Sequence, residues 1–311
     1  MFYETPEWAE RHHYRHHSNP KSKSRAKTFF EKVHLRPTLT AAWEIVKAKN
    51  DPRLPDAWAT IKKFDQKYSG ADNANMLGGR LAQLIADKVL LEGMDIGDSV
   101  KLAFEKYDAY KPRDWDDGTD AAKAKQYREE LPEVAANAII GLKEAMAREN
   151  RIIGEIDLHD LIGGLALPHF TKPDYARRGD LKTKWSKKSA TSKSGFASSS
   201  LPKHLGGMFE QAHVYQVAGF WALNGHQPPF LVYANKTDCT VFTPDNAPEL
   251  RDDNLAAIVE DIKLYHKTTE NLLRAAEHKD ELFSLVSPDF SELCWQEPPA
   301  IVEEAKQIWK L

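Results

Sequence analysis

The apolar pattern of this chain changes its period near Arg151, and no other sequence feature constrains the fold as strongly. Before that point, apolar residues recur at spacings of three and four, as in Met76 to Leu91 and Leu131 to Met146. Such stripes are typical of amphipathic helices. After it, Ile152 to His159 predicts a strand, and Gly163-Gly164 ends it. Helices followed by strands predict an α/β fold with additional helices.

The second half of the chain adds further predicted elements. They are a strand at Tyr175 to Trp185, a helix at Met208 to Leu223 capped by Asn224-Gly225, a strand pair at Phe230 to Ala234 and Cys239 to Phe242 about a turn at Asn235 to Asp238, a long helix with apolar residues from Leu255 to Leu273, and a last helix at Ile301 to Trp309.

These elements suggest four regions. Residues 1–36 form a basic, His-rich arm with too few apolar residues to fold alone. Residues 37–150 are helical, with Thr40 as a helix cap and Pro55 at the start of another helix. The α/β core follows at 151–245, with a mobile Ser/Lys-rich loop at 186–205, and a helical region occupies 246–311.

Composition places the chain in the soluble globular class. Of its 311 residues, 41% are hydrophobic and 29% are charged, which disfavours global disorder. No apolar run is long enough to span a bilayer, and the N-terminus lacks the apolar core of a signal peptide. We therefore expect a cytoplasmic protein without a membrane partner.

Charge is distributed unevenly along the chain. From Lys172 to Lys203, nine Lys and Arg residues accompany two Asp, and from Arg11 to Arg36 eight accompany one Glu. From Asp245 to Leu311, by contrast, fifteen acidic residues outnumber seven basic ones. Basic segments on an otherwise acidic chain indicate a local polyanion site.

The triplet Asp180-Leu181-Lys182 sets a carboxylate and an ammonium two residues apart on a predicted strand. Side chains in a strand alternate, so both groups point to one face. Asp157 lies 23 residues earlier, and if the two strands pair, it meets Asp180 and Lys182 at one end of a sheet. Two carboxylates with open positions suit Mg²⁺ or Mn²⁺ rather than zinc.

With these residues in order, the chain resembles the PD-(D/E)XK nuclease superfamily, and within it the RecB-type and phage lambda exonuclease-like branch. Gly154-Glu155-Ile156-Asp157, Asp180-Leu181-Lys182-Thr183 and a later helix with a glutamine carry the resemblance, which spans about Gly78 to Phe242. It implies a central mixed sheet flanked by helices. It also implies that Asp157, Asp180 and the Leu181 carbonyl bind Mg²⁺, with Mn²⁺ as a substitute, while Lys182 addresses the water or phosphate.

The family's glutamine has two candidates in this chain. Gln211 and Tyr215 satisfy the literal Gln-x-x-x-Tyr spacing, whereas Gln216 and Phe220 fit the distance to the following strand. We favour Gln216, which would orient Asp180 and Lys182, because the helix and strand after it match the family's arrangement over a longer stretch.

The early-helix motif departs from the family pattern. Gly79-Arg80-Leu81-Ala82-Gln83 occupies the place of Gly-x-x-x-His, so Gln83 stands where a histidine is expected. Asp87, one turn later, is the alternative acidic group. With two cysteines in the chain, no four-thiolate iron-sulfur cluster is expected.

The basic segment after Lys182 is the predicted DNA contact. Lys184, Lys187, Lys188 and Lys193 follow it, with Trp185 interleaved, and lysines contact phosphates without reading sequence.

Together, these residues predict a magnesium-dependent exonuclease that acts on the ends of linear duplex DNA in phage-type recombination, replication or repair. A single-strand annealing or replication protein is an expected partner. Two alternatives remain open, a structure-selective endonuclease on the same core and a catalytically idle DNA-binding or scaffold protein.

Overall fold

A computed structural model of the chain describes residues 5–11, 16, 36–50, 73–112, 119–149, 152–190, 192, 195–278, 281, 285 and 298–308. These residues form a mixed α/β structure of helices and small sheets. The chain divides into two compact units, one of Met1–Tyr68, His159–Phe170 and Val259–Leu311, the other of Ser69–Leu158 and Thr171–Ile258. Among the described residues, no helix combines the length and apolar character needed to cross a bilayer.

The helices are α1 (Glu7–Arg11), α2 (Arg36–Ala48), α3 (Ala74–Leu90), α4 (Ile96–Asp108), α5 (Thr119–Ala145), α6 (Met208–Leu223), α7 (Asp252–Ala275) and α8 (Pro299–Ile308), with a 3₁₀ turn at Pro248–Leu250. The strands are β1 (Leu158–Asp160), β2 (His169–Thr171), β3 (Gly179–Thr183), β4 (Lys187–Lys188), β5 (Phe196–Ala197), β6 (Phe230–Ala234) and β7 (Cys239–Phe242).

Helices α3 and α5 build the main core of the larger unit. Asn73 caps α3 by accepting a hydrogen bond from the backbone N–H of Met76 at 2.9 Å, as residues at this position commonly do. Leu81 and Ile85 of α3 and Leu131 of α5 are buried in one apolar cluster. A spacing of three to four residues between buried apolar residues along each helix is the pattern that predicted both helices, so this prediction is confirmed.

A three-stranded sheet packs against these helices in the order β3-β6-β7. β6 runs parallel to β3 and antiparallel to β7, and all five of its residues are buried. Phe230, Val232 and Ala234 belong to the cluster of α3 and α5. Because side chains alternate along a strand, Leu231 and Tyr233 face the opposite side, where α6 lies.

The bounds of α6, β6 and β7 agree with the sequence predictions. α6 ends at Leu223 with Asn224 as its C-cap, and Gly225 has φ +62°, a conformation that glycine adopts without strain. The predicted turn between β6 and β7 is held by Asn235, whose side-chain oxygen accepts the backbone N–H groups of Thr237 and Asp238 at 2.7 and 2.8 Å.

Several predicted elements were wrong. Ile152 to Ile156 and Asp157 do not form a strand, because β1 begins only at Leu158. β1 pairs with β2 rather than with β3. The segment predicted as a mobile loop contains the short antiparallel pair β4–β5. Thr40 lies inside α2 and does not cap it. The helix predicted to begin at Pro55 lies outside the described residues.

The smaller unit has its own contacts. α2 packs against α8, and Ala9, Leu167, Leu273 and Ala276 form an apolar cluster. Glu270 of α7 is 3% exposed, and it accepts the backbone N–H groups of Ala166 and Leu167 at 2.9 Å each. Its Oε1 also lies 2.9 Å from Nε2 of His16. These contacts satisfy a carboxylate that would otherwise be costly to bury.

Candidate active site

Strand β3 presents two charged side chains to the sheet face covered by α6. Asp180 is paired with Leu231, and Lys182 is paired with Tyr233, so both charges lie on the face of those residues. Leu181 between them points into the apolar cluster of α3 and α5. The prediction that Asp180 and Lys182 share one face of a strand is confirmed, and alternation along the strand is the reason.

The two charged groups form an ion pair. Asp180 is 1% exposed, and its Oδ2 lies 2.5 Å from Nζ of Lys182. Lys182 therefore offsets the charge of the buried Asp180 carboxylate.

Gln216 of α6 contacts both members of the pair. Its Nε2 donates a hydrogen bond to Oδ1 of Asp180 at 2.9 Å, and its Oε1 accepts one from Nζ of Lys182 at 3.0 Å. An amide can do this because it carries a donor and an acceptor side by side. The structure therefore brings Gln216 to the position that the sequence predicted for it.

The alternative glutamine lies elsewhere. Gln211 donates a hydrogen bond from Nε2 to the carbonyl oxygen of Leu205 at 3.2 Å, which joins α6 to the segment before it. Tyr215 is buried. The two glutamines are five residues apart, which places them on different faces of the helix.

Asp174 is a second acidic residue at this site, beside Asp180, and the sequence did not predict it. Its Oδ2 accepts a hydrogen bond from the backbone N–H of Leu181 at 2.8 Å. A tight turn connects it to β3, in which Ala176 and Arg177 have φ values of +50° and +61°. Gly179 closes this turn, because its carbonyl oxygen accepts the backbone N–H of Asp174 at 2.9 Å.

The surroundings of Asp174 disfavour its charged form. Burial raises the pKa of Asp174 to about 8, and the negative charge of Asp180 acts in the same direction. Lys182 and the backbone N–H of Leu181 oppose this rise of the pKa only in part. Two carboxyl groups that share one site show this behaviour, because both cannot ionise easily unless a cation joins them.

A sequence signal for Asp174 was present. Pro173-Asp174 lies six residues before Asp180, a separation that suits a tight turn leading into a strand. The pattern Gly-x-x-Asp, formed by Gly154 to Asp157, instead indicated Asp157.

Asp157 does not lie where the sequence predicted. Its side chain is 58% exposed, and Oδ1 lies 4.0 Å from Nζ of Lys172. Lys172 is also paired with Glu155. The segment that carries Asp157 runs beside the turn before β3, where Ile156 donates a backbone hydrogen bond to Pro173 at 3.3 Å. Because no strand extends this segment along β3, Asp157 is left at the surface.

Asp87 of α3 lies next to the same turn. Its Oδ1 accepts a hydrogen bond from the hydroxyl of Tyr175 at 2.7 Å. Burial raises the pKa of Asp87, and the negative charge of Glu155 adds to that rise. Gln83 is half-buried one turn earlier on the helix. Of the two residues predicted on the early helix, Asp87 is therefore the one hydrogen-bonded to Tyr175, the residue that follows Asp174.

The basic residues after β3 have different environments. Trp185 was predicted to contact DNA, but it is 6% exposed, and its ring packs against Tyr127 with the centroids 5.1 Å apart. That prediction was wrong because the indole fills the core. Lys184 lies 3.6 Å from Glu210, Lys187 and Lys188 are exposed on β4, and Lys193 lies outside the described residues.

A buried carboxylate anchors the segment that leads to β4. Glu130 of α5 is 4% exposed, and it accepts hydrogen bonds from the backbone of Ser186 at 3.2 Å and from Nζ of Lys236 at 3.0 Å. The hydroxyl of Ser186 donates a further one. These bonds fix the position at which Lys187 and Lys188 leave the core.

Asp174 and Asp180 are suitable ligands for a hard cation. Within the described part of the chain, no group of three His, Cys, Asp or Glu side chains is arranged to hold a metal ion. Mg²⁺ does not require one, because it usually binds through one or two carboxylates and keeps several waters or phosphate oxygens. The buried carboxylate of Asp180 and the raised pKa of Asp174 beside it fit such an ion.

Comparisons with known proteins add no relative to this picture. No protein-family model matches the chain. No curated protein and no solved structure matches it significantly. The assignment of a function therefore rests on the residues of the site.

Proposed function

We propose that this chain is a magnesium-dependent deoxyribonuclease of the PD-(D/E)XK type that degrades linear duplex DNA from its ends. The observation that carries the proposal is the joint contact of Gln216 with Asp180 and Lys182. Three residues from two elements thus meet, in the chain order that the sequence resemblance implies. The mixed sheet between α5 and α6 supports the same core type.

In this proposal Asp174 takes the role first assigned to Asp157. Asp174, Asp180 and the backbone carbonyl of Leu181 would hold Mg²⁺, with Mn²⁺ as a substitute. When bound, the ion supplies a bound water of lowered pKa and offsets negative charge on the phosphate.

The protein's own groups then have defined tasks. Lys182 places a positive charge beside Asp180, where it can address the attacking water or a phosphate oxygen. Gln216 holds both groups in place. Asp174, whose raised pKa favours the protonated form without a cation, would bind Mg²⁺ as the carboxylate.

The exposed lysines of β4 support binding of DNA. Lys187 and Lys188 lie a few residues after Lys182 on the chain, and both are exposed. Lysines in such positions contribute affinity for phosphates that does not depend on base sequence. The preference for ends over internal positions rests on the resemblance to exonucleases of the lambda type.

Labelled linear duplex, with either end or both ends blocked, tests this proposal in the presence and absence of Mg²⁺. The protein should release nucleotides from open ends only with the metal. Asp180→Asn and Lys182→Ala should abolish release while the circular dichroism spectrum stays unchanged. Full activity in both variants would contradict the assignment.

Two controls separate the alternatives. Cleavage of covalently closed circular DNA would favour a structure-selective endonuclease. Absence of calorimetric heat with Mg²⁺ or Mn²⁺, together with retained binding of DNA, would favour an idle DNA-binding protein. The glutamine at position 83, where the resemblance implies a histidine, is the observation behind this alternative.

A further inference from the structure

A second polar contact joins α6 to the sheet beside the proposed active site. Nδ1 of His213 lies 2.6 Å from the hydroxyl oxygen of Tyr233, and the two rings are 5.7 Å apart between centroids. Tyr233 is 0% exposed and lies in β6 directly beside Lys182 of β3. The contact therefore occurs one strand away from the Asp180 and Lys182 pair.

The spacing along α6 links this contact to Gln216. His213 and Gln216 are three residues apart, so they lie on one face of the helix about one turn apart. Gln216 reaches β3 and His213 reaches β6. Two polar contacts to two neighbouring strands fix both the rotation of a helix and its position along its axis.

The environment keeps the contact free of net charge. Burial, followed by the positive charges of Lys182 and Lys184, lowers the pKa of His213 to about 3. Burial and the negative charges of Asp180 and Glu210 raise the pKa of Tyr233. A neutral imidazole has one donor and one acceptor nitrogen, so it bonds to Tyr233 without competing for the charges of Asp180 and Lys182.

Apolar residues on α6 do not fix the position of the helix on the sheet as closely as these hydrogen bonds do. Val214, Val217 and Phe220 are fully buried, and apolar packing tolerates small shifts of a helix. Hydrogen bonds between buried polar groups tolerate them less, because a shift leaves a donor or acceptor unsatisfied.

We propose that the hydrogen bond between His213 and Tyr233 is a positioning contact that sets α6 on the sheet and so holds Gln216 between Asp180 and Lys182. Its consequence for catalysis rests on the proposed nuclease function. The placement of α6 by this hydrogen bond does not depend on the nuclease function.

Tyr233→Phe and His213→Leu remove the contact, whereas His213→Gln retains a group that can bond to the tyrosine. We expect the first two variants to lower kcat about tenfold to a hundredfold, as small misplacements of catalytic groups do. KM for DNA should stay unchanged, because no group that touches the substrate is lost. His213→Gln should recover much of the rate.

Tyr107→Phe is the matched control. Tyr107 of α4 is 3% exposed, and its hydroxyl has no hydrogen-bond partner among the described residues. This variant removes the same atom from another buried tyrosine, so kcat should remain that of the unmodified protein.

The side-chain amide protons of Gln216, observed by nuclear magnetic resonance, provide a readout that does not need activity. They should exchange slowly in the unmodified protein and in Tyr107→Phe, and faster in Tyr233→Phe. If the unmodified protein does not cleave DNA, the nuclease proposal fails while this readout still tests the contact. The inference would be overturned if amide exchange of Gln216 were unchanged in Tyr233→Phe. It would also be overturned if His213→Gln lost as much rate as His213→Leu, or if the rate in these variants fell only in proportion to the fraction of unfolded protein.

Discussion

Nε2 of Gln216 donates a hydrogen bond to Oδ1 of Asp180 at 2.9 Å. This bond joins a helix to a strand 36 residues away in sequence. It also leaves the other end of the amide facing Lys182, so one side chain orders both charges of the proposed site.

Replacement of Gln216 by alanine should reduce the rate of nucleotide release by about a hundredfold, similar to the loss of one preorganised polar contact in other active sites. The substitution removes the only neutral group seen to contact both Asp180 and Lys182 among the described residues. Steady-state kinetics on linear duplex measure the effect.

Gln211→Ala is the matched control, because it removes from the same helix an amide whose hydrogen bond within the described structure goes to the backbone carbonyl of Leu205. It should retain the rate. Equal losses in the two variants would show that the helix, rather than the amide of Gln216, matters.

The stability of the protein should fall as pH rises from about 5 to about 8. The pKa of Asp174 is raised from 3.8 to about 8 in the folded chain. Between these values the folded carboxyl holds a proton that the unfolded one has lost, so the free energy of unfolding falls by at most about 1.4 kcal/mol per pH unit. The burial of Asp87 acts in the same direction.

Chemical unfolding of the unmodified protein and of Asp174→Asn at several pH values measures this slope. The variant should show a shallower slope and a higher stability near neutral pH. Added Mg²⁺ should stabilise the unmodified protein most at high pH, because the cation replaces the proton. A slope that the substitution leaves unchanged would contradict the assigned environment of Asp174.

The residues of this site that could be predicted are those whose positions depend on neighbours in the sequence or on a pattern along the chain. Asp180 and Lys182 follow from alternation along one strand, and Gln216 from a family pattern that includes the next helix and strand. The first signal is local, and the second is a pattern spread over a helix and a strand. Together they predicted Asp180, Lys182 and Gln216, three of the residues that meet at the proposed site.

Asp157 and Trp185 were misassigned because tertiary contacts decided their positions. The segment of Asp157 runs beside Pro173 and not along β3, so its carboxylate remains in solvent. Trp185 lies in a basic segment of the sequence, yet its ring packs against Gly78 and Tyr127. The residues that these two segments contact are distant in sequence. The alternation of side chains along a strand contains no information about such contacts.

Gly179→Ala should destabilise the fold by about 1 to 3 kcal/mol or more, as insertion of a methyl group into a packed core does. A Cβ at this position would lie 2.0 Å from Cζ of Phe230, and that ring is 0% exposed. Thermal unfolding measures the loss.

Gly163→Ala provides the comparison, since no atom lies within 4 Å of the Cβ it would add. Its midpoint of unfolding should stay near that of the unmodified protein. If Gly179→Ala were equally well tolerated, the close approach of β3 to β6 at Phe230 would be wrong.

Lys187→Ala combined with Lys188→Ala should weaken binding of duplex DNA for all sequences alike. The dependence of log K on log salt concentration should become shallower by about one for each lysine that contacts a phosphate. Fluorescence anisotropy at several salt concentrations measures both quantities.

Lys101→Ala controls for the loss of charge alone, because Lys101 is 77% exposed on α4 and pairs with Asp98. An equal change of slope in this variant would indicate that DNA binding follows the net charge of the protein and not β4.

The comparison of Asp174→Asn with Asp157→Asn tests the proposed site most directly. Both substitutions remove one carboxylate from the region before β3, and only Asp174 lies beside Asp180. In the assay of magnesium-dependent nucleotide release from linear duplex, Asp174→Asn should lose activity as completely as Asp180→Asn, while Asp157→Asn should remain active. Loss of activity in Asp157→Asn with retention in Asp174→Asn would contradict the site described for this protein.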